Sequence, residues 1–214
     1  MAFRWRTRVE GLEVAEGDPR VVTAVRTTAG RIACDAVVIS PGHSARDTWE
    51  RLIESGVPLV AKPFQIGVRI EHPQQLIDRG RYGSGPEAAM LGPAYYNLVS
   101  KASGNDPPAH SFCMCPGGRI VASVHVAGRL CTNGMSNAAH SSPFANAAIV
   151  TTVGPESFGD GPLAGVDLQE RLERRFFDAG GRDYTAPVQR ADDFLAGRRT
   201  VEPSRTSYTF GVRP

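Results

Sequence analysis

The sequence predicts an α/β segment followed by an α+β domain with an antiparallel sheet, and two observations lead to this division. Ala36–Ile39 is an uninterrupted apolar run that precedes a Ser-Pro-Gly turn, as expected for a strand buried on both faces of a mostly parallel sheet. Phe64–Ile70 instead alternates apolar with other residues, which is typical of an antiparallel strand with one exposed face. We therefore place a boundary near residue 60, with a partial first domain over residues 1–60 and a nearly complete second domain over residues 61–214.

The first segment begins with three predicted strands. Over Phe3–Val9, Phe, Trp, Thr and Val alternate with arginines, which is the pattern of a half-buried strand. Val21–Thr27 and Arg31–Cys34 flank the turn-like sequence 28–30, so these two strands are predicted to form a β-hairpin.

A strand, a tight turn and a helix follow the predicted hairpin. Ala36–Ile39 would form the strand, and Ser44 would cap a helix that ends near Gly56. The apolar residues on one face of this helix are Trp49, Leu52 and Ile53. In doubly wound sheets such a junction lies at the carboxyl end of the strand, where ligands bind.

The second segment is predicted to consist mainly of antiparallel strands. After the strand at 64–70, a Gly- and Pro-rich stretch over 80–108 predicts loops with short helical pieces. An antiparallel meander is predicted from Ser111–Cys115, Arg119–Val126 and Arg129–Thr132. One more strand, Ala147–Val153, and an amphipathic helix, Asp167–Ala179, capped by Asp167, complete the domain.

Composition and charge exclude several classes of function. The formal net charge of +2 is too small to favour nucleic acid or an anionic membrane as a partner. No run approaches the ~18 apolar residues that a membrane span needs, and the N-terminal sequence lacks the pattern of a signal peptide. Four dispersed cysteines do not suggest a disulfide framework, so we expect a cytoplasmic protein.

Two glycine-containing motifs have structural as well as functional explanations. Gly83–Ala88 matches a dinucleotide-binding pattern, but no buried strand precedes it, and we interpret it as a flexible loop. Gly42–Arg46 begins like the nucleophile turn of serine hydrolases but ends in Arg instead of Gly. Ser44 as a helix cap, with Arg46 or the helix N-terminus as an anion contact, explains this segment better than serine hydrolysis does.

The cysteines of the sequence Cys113-Met114-Cys115 would project from one face of a regular strand. Zinc sites usually show wider C-x₂₋₄-C spacing with a second pair, so no metal site is predicted. Redox pairs usually follow C-x-x-C spacing, so C-x-C is a weak signal for one. Two buried, apolar cysteines are the favoured interpretation, and a thiol close to a cofactor stays open. Of the histidines, His43 and His72 have motif-like surroundings.

Several segments distributed over nearly the whole chain carry a resemblance to a known family. The longer segments are Gly42–Asp47, Lys62–Gln74, Ser111–Gly118 and Thr132–Ser136. The shorter segments are Ala145-Asn146, Pro162–Val166, Ala186–Gln189, Asp193–Leu195 and Ser207-Tyr208. Together they resemble the bacterial FAD-dependent dehydrogenases, a largely uncharacterised family of NAD(P)/FAD-dependent oxidoreductases.

The resemblance implies an oxidoreductase in which a Rossmann-type FAD domain is interrupted by a second domain. Residues 1–60 would be the later strands and helix of the FAD domain, and residues 61–214 would bind substrate and cover the flavin. The family's first strand with its G-x-G-x-x-G helix and its final Gly-rich segment would lie outside this chain. We therefore expect the chain to be an internal section of a family member that alone binds FAD weakly or not at all and is inactive.

The resemblance also indicates site residues. Glycine lets the backbone approach a cofactor, and a helix N-terminus offers free N–H groups to an anion. The expected FAD contacts are Ser40, Pro41, Gly42 and Arg46. The weaker candidates for the active site are His43, Arg69, His72, Cys113 and Cys115. The substrate would be an unidentified small molecule, the use of NAD(P)H stays open, and a stand-alone, non-catalytic binding module for a ligand or protein is the alternative.

Overall fold

The computed structural model describes residues 2–17 and 19–214, which separate into two compact units. The first unit extends to Ala61 and includes Gly159–Val166, and the second comprises Lys62–Phe158 and Asp167–Pro214. The strands are β1 Val9–Ala15, β2 Val21–Thr27, β3 Gly30–Ala33, β4 Phe64–Pro73, β5 Val99–Ser100, β6 Ala109–Cys115, β7 Gly118–Ser123, β8 Cys131–Ser136, β9 Phe144–Val153, β10 Ala186–Pro187 and β11 Val212–Arg213. The helices are α1 Arg46–Glu54, α2 Gln74–Tyr82, α3 Pro155–Phe158, α4 Ala164–Gly180 and α5 Ala191–Leu195, with a 3₁₀ helix at Pro86–Met90.

The first unit contains a three-stranded antiparallel sheet in the order β1-β2-β3. The predicted hairpin is confirmed as β2 and β3, which pair from Thr27 opposite Gly30. Helix α1 contacts β1, since Arg51 donates to the carbonyl of Glu10 at 3.1 Å. Leu52 contributes the buried apolar side chain of α1.

Two strand predictions in the first unit are wrong. Residues 3–8 form no strand: Arg6 has φ +55° within a turn, and β1 instead begins at Val9. Residues 36–39 form no strand either, and Val38 is 91% exposed. A strand buried on both faces needs a neighbouring strand on each side and layers above and below. The described strands of this unit pair only with one another and only antiparallel, so the expected parallel sheet is not observed in them.

The predicted helix after the turn is confirmed, but its predicted cap is not. Helix α1 has Ala45 at the N-cap position and no capping hydrogen bond from a side chain. Ser44 contributes its backbone carbonyl, which accepts from the N–H of Arg46 at 3.0 Å. At the other end Gly56 has φ +76°, a conformation that favours glycine and ends the helix where the sequence predicts.

The second unit is built on a four-stranded sheet in the order β4-β9-β6-β5, in which each adjacent pair is antiparallel. Strand β9 lies between β4 and β6 and pairs with β4 over the full length from Phe64–Val153 to Pro73–Phe144. The predictions of strands at 64–70 and 147–153 are therefore confirmed, and so is an α+β unit with antiparallel sheets.

The predicted meander is only partly correct. Strand β6 pairs with β5 and β9, while β7 and β8 form a separate hairpin. The chain changes direction between these sheets at Gly117, which has φ +51°. The predicted final helix is confirmed as α4 but begins earlier, at Ala164, so Asp167 lies in its first turn and is not its cap.

A small apolar core joins the hairpin, α4 and the C-terminal segment of the second unit. Its buried members are Leu130, Ala186 and Tyr208, and Ile120, Phe176 and Val212 are among the side chains that pack against them. The phenolic oxygen of Tyr208 donates to the carbonyl of Tyr184 at 2.8 Å. Across residues 2–17 and 19–214, none of the helices combines the length and the apolar character that crossing a membrane demands.

Candidate functional site

A polar network centred on Arg69 of β4 lies on one face of the four-stranded sheet. Its Nη1 atom donates to Asn146 Oδ1 of β9 at 2.5 Å and to the carbonyl of Cys113 in β6 at 3.3 Å. Its Nη2 atom donates to Asn133 Oδ1 of β8 at 3.3 Å. All three acceptors are neutral, and no carboxylate of the described residues forms an ion pair with Arg69. The guanidinium is thus held in place while its charge stays uncompensated.

Asn146 fixes Arg69 from the central strand of the sheet. It is fully buried, at 0% exposure, and lies opposite Glu71 in β4 and Cys115 in β6. Its Nδ2 atom is buried and has no hydrogen-bond partner among the described residues. Gly134 of β8 approaches so closely that a Cβ there would collide with Asn146 Oδ1 and Arg69 Nη1. The hairpin can therefore cover this part of the network only because residue 134 is glycine.

Cys113 and Cys115 lie at a β-bulge in β6. The register moves from Phe112–Ala148 to Cys115–Asn146, so β6 contains one residue more than β9 at this point. Cys113 has φ +46°, which residues other than glycine rarely adopt. Cys113 is exposed and Cys115 is buried, so the prediction of two buried cysteines on a regular strand is wrong.

The surroundings of the Cys115 thiol shift its pKa in opposite directions. Burial raises its pKa above the ordinary value of 9.0, and the neighbouring Cys113 raises it further. The Arg69 guanidinium acts in the opposite direction, because a positive charge favours the thiolate. The structure therefore brings three of the predicted candidates, Arg69, Cys113 and Cys115, into one cluster.

His72 belongs to the opposite face of the sheet, because it follows Arg69 by three positions on an evenly paired strand. Its Nε2 atom forms a 2.9 Å hydrogen bond with the Tyr96 hydroxyl, and the two ring centroids are 5.5 Å apart. Burial lowers the pKa of His72 below 6.5 and raises the pKa of Tyr96 above 10.0. His72 is consequently neutral at pH 7 and is not part of the Arg69 network.

Glu71 connects β4 to the C-terminal segment. Its carboxylate accepts hydrogen bonds from the backbone N–H of Ser207 at 3.0 Å and from the Ser207 hydroxyl. Ser207 Oγ in turn accepts from the N–H of Ile120 in β7 at 2.8 Å. These bonds hold the C-terminal segment against the sheet and the hairpin beside the Arg69 network.

The remaining predicted residues lie in the first unit. Ser40, Pro41, Gly42 and His43 are exposed, and Arg46, the first residue of α1, is 7% exposed. Gly42 has φ +81°, and no atom lies within 4 Å of the position that a Cβ would occupy there. The turn at Gly42 is thus open and depends on glycine, and the contact of residues 40–42 with FAD stays a prediction.

Two cavities of the described residues lie away from the predicted site. A cavity of about 370 Å³ in the first unit is lined by residues of the sheet and by Ala36–Val38. A cavity of about 530 Å³ in the second unit is lined by residues of the C-terminal part, including Arg198 and Thr200. Neither includes a predicted candidate, and among the described residues no three His, Cys, Asp or Glu side chains converge as potential metal ligands. We therefore place the candidate site at the charged network.

Residue-by-residue reasoning missed several members of this site. They are Glu71, Asn133, Asn146 and Ser207; Tyr96, the hydrogen-bond partner of His72 on the opposite face, was missed as well. Asn and Ser are common surface residues, so their type gave no signal, although all but Tyr96 lie inside the segments that carry the family resemblance. Arg69 and Asn146 are 77 positions apart in the chain, and no sequence spacing indicates a contact at that separation.

Comparison with known proteins finds similarity over most of the chain. A family model described as "FAD-dependent protein, C-terminal domain-like" matches residues 63–214. An uncharacterized protein of Clostridium beijerinckii (strain ATCC 51743 / NCIMB 8052) is 44% identical over 183 residues, which correspond to 84% of this chain and 34% of that protein. The chain thus spans about a third of the length of this curated relative.

Proposed function

The chain belongs to the family of FAD-dependent proteins, and we propose that it forms part of an FAD-dependent oxidoreductase, a dehydrogenase of a small-molecule substrate. FAD, when bound, supplies the electron chemistry, and the protein supplies binding, orientation and electrostatics. In this proposal residues 1–60 are the later part of a Rossmann-type FAD domain, and residues 61–214 cover the reactive face of the flavin. The protein acts in the cytoplasm, and NAD(P)H is the candidate second reactant.

The uncompensated charge of Arg69 is the observation that carries this proposal. A partly buried guanidinium whose partners are all neutral, Asn146 and Asn133 among them, favours a negative charge nearby. Such a charge is present on an anionic substrate and develops where a flavin accepts electrons. Arg69 therefore orients and stabilises the anionic group, and Cys113 and Cys115 line the same place.

The first unit contributes the proposed FAD contacts Ser40, Pro41, Gly42 and Arg46. The open turn at Gly42 supports a close approach of the cofactor to the backbone. The described residues contain no buried strand that leads into a glycine-rich turn and helix, the arrangement that holds a pyrophosphate. Gly83 and Gly85 instead follow helix α2 and precede the 3₁₀ helix. The chain alone therefore binds FAD weakly and is inactive.

Purification and titration with FAD test the proposal. We expect the 214-residue chain to be isolated without flavin and to quench the fluorescence of added FAD with low affinity. Arg69→Gln should weaken this binding about tenfold, or about 1.4 kcal/mol. The matched control is Arg119→Gln on the exposed side of β7, which should bind FAD as the wild type does.

Three outcomes would contradict parts of this proposal. Stoichiometric flavin in the purified chain would refute weak binding, and unchanged affinity in the Arg69 variant would refute the role of Arg69. Failure to bind FAD at any concentration would favour a stand-alone binding module, for which the exposed Val38 and Val60, at 91% and 75% exposure, offer apolar contact area.

A further inference from the structure

The geometry points to Cys113 and Cys115 as a dithiol that closes reversibly to an intramolecular disulfide by exchange with a low-molecular-weight disulfide. This inference concerns the thiols of the chain itself and stands whether or not the chain binds FAD. Three observations carry it: the bulge in β6, the different exposure of the two thiols, and the position of Arg69.

The bulge contains both cysteines, and the Cys115 thiol lies against the backbone of Cys113. A strand rises about 3.3 Å per residue, which places the Cα atoms of residues i and i+2 about 6.6 Å apart, near the upper limit for a disulfide. The bulge, with Cys113 at φ +46°, locally disrupts the pairing of β6 with β9 around these two residues. The Sγ atom of Cys115 lies 3.4 Å from the carbonyl oxygen of Cys113, and the Cys113 thiol is near enough to raise the pKa of the Cys115 thiol.

The exposure of the two thiols assigns different roles to them. Cys113 is exposed, so an external disulfide can reach its sulfur, whereas Cys115 is 7% exposed and can be reached chiefly by its neighbour. This arrangement of one accessible and one protected thiol is suited to an attacking and a resolving cysteine. Cys34 and Cys131, the other cysteines, are outside this bulge.

Arg69 supports the exchange electrostatically. Its Nη1 atom donates to the Cys113 carbonyl at 3.3 Å, and its charge favours the thiolate of Cys115. The thiolate is the reacting form; burial raises the pKa of the Cys115 thiol overall, and the fixed guanidinium makes this rise smaller. The neutral partners of Arg69 leave its charge free for this task.

The reaction balances in two steps. The Cys113 thiol loses its proton to solvent and attacks R–S–S–R, so that one S–S bond breaks, a Cys113–S–S–R bond forms and R–S⁻ leaves. The Cys115 thiol then loses its proton and attacks Cys113 Sγ, which forms the Cys113–Cys115 disulfide and releases the second R–S⁻. The two protons are taken up by the released thiolates, so two protein thiols are oxidised and R–S–S–R is reduced to two R–SH.

Tryptic peptide mapping of the full chain after equilibration with glutathione disulfide tests this inference. Trypsin releases both cysteines in the peptide 102–119, while Cys34 and Cys131 lie in the separate peptides 32–46 and 130–171. We expect the peptide 102–119 to lose the mass of two hydrogen atoms, to resist maleimide after denaturation, and to regain both reactive thiols with dithiothreitol.

Two serine variants distinguish the roles. In Cys115→Ser the peptide 102–119 should retain one glutathionyl group on the exposed Cys113, because no second thiol can displace it. In Cys113→Ser the buried Cys115 should stay a free thiol that maleimide labels only after denaturation. The inference would be overturned if the wild-type peptide 102–119 kept two free thiols, carried glutathione, or became linked to the peptide 32–46 or 130–171. A free Cys113 in Cys115→Ser would overturn its role as the attacking thiol.

Discussion

The second unit buries its apolar and polar side chains more completely than the first unit does. In the second unit the central strand β9 pairs along both edges, and Leu130 and Asn146 are almost completely buried. In the first unit the edge strands β1 and β3 each have one partner, and Trp5 and Val38 are 83% and 91% exposed. The polar network therefore lies in the unit that can exclude water around it, which is the condition under which a fixed charge acts strongly.

The aromatic residues allow each unit to be followed separately. Both tryptophans, Trp5 and Trp49, belong to the first unit. The five tyrosines all belong to the second unit, and they are Tyr82, Tyr95, Tyr96, Tyr184 and Tyr208. Tryptophan fluorescence consequently monitors the first unit, and the near-ultraviolet circular dichroism of tyrosine monitors the second.

The largest difference is expected from removing one buried leucine from each unit. Leu130→Ala should lower the free energy of unfolding measured through tyrosine by about 3 kcal/mol, because it leaves a cavity in a well-packed core. Leu52→Ala in the first unit should cost about 2 kcal/mol measured through tryptophan, since its side chain is more exposed, at 6% against 1% for Leu130. Urea titrations measure both values.

Leu195→Ala, at 84% exposure, is the control and should change stability by less than about 0.5 kcal/mol. A cost of Leu52→Ala equal to that of Leu130→Ala would contradict the difference in packing.

A smaller effect should come from the polar network. Asn146→Ala removes the acceptor of Arg69 Nη1 and leaves part of a guanidinium unpaired, so we expect a loss of about 2 kcal/mol in the unfolding transition measured through tyrosine. The matched control is Asn133→Ala, because Asn133 is exposed and accepts from the same guanidinium at 3.3 Å; it should cost about 0.5 kcal/mol. Equal losses in the two variants would show that burial of Asn146 does not determine the strength of this contact.

Local patterns predicted the strands whose partners lie within the described residues. Alternation over Phe64–Ile70 and the apolar run in Ala147–Val153 correspond to β4 and β9, which pair with each other. The equally apolar run Ala36–Ile39 forms no strand. An apolar run predicts that a segment is buried, but it does not supply the neighbouring strands that bury it.

The candidate site was predictable only in part, for a similar reason. Arg69, Cys113 and Cys115 were indicated by the segments that carry the family resemblance, and the structure places them together. His72 was named as a candidate because of its motif-like surroundings, yet it follows Arg69 by three positions, and on a strand this reverses the direction of the side chain. The bulge at Cys113 has no glycine or proline that would mark it, so the exposure of this thiol could not be predicted.

The smallest expected effect depends on pH and concerns His72. Burial lowers its pKa in the folded chain below the ordinary 6.5, while the neighbouring Glu71 acts in the opposite direction and Tyr96 forms its hydrogen bond. As the pH falls through 6.5, His72 is protonated in the unfolded chain before it is protonated in the folded chain. The free energy of unfolding therefore decreases between pH 6.5 and the lower pKa that His72 has in the folded chain. Urea titrations through tyrosine at about pH 7.5 and about pH 5.5 should therefore show a smaller pH-dependent loss in His72→Gln than in the wild type. His43→Gln, which changes an exposed histidine of the first unit, should retain the wild-type loss. An unchanged loss in His72→Gln would mean that the burial of this imidazole does not oppose its protonation.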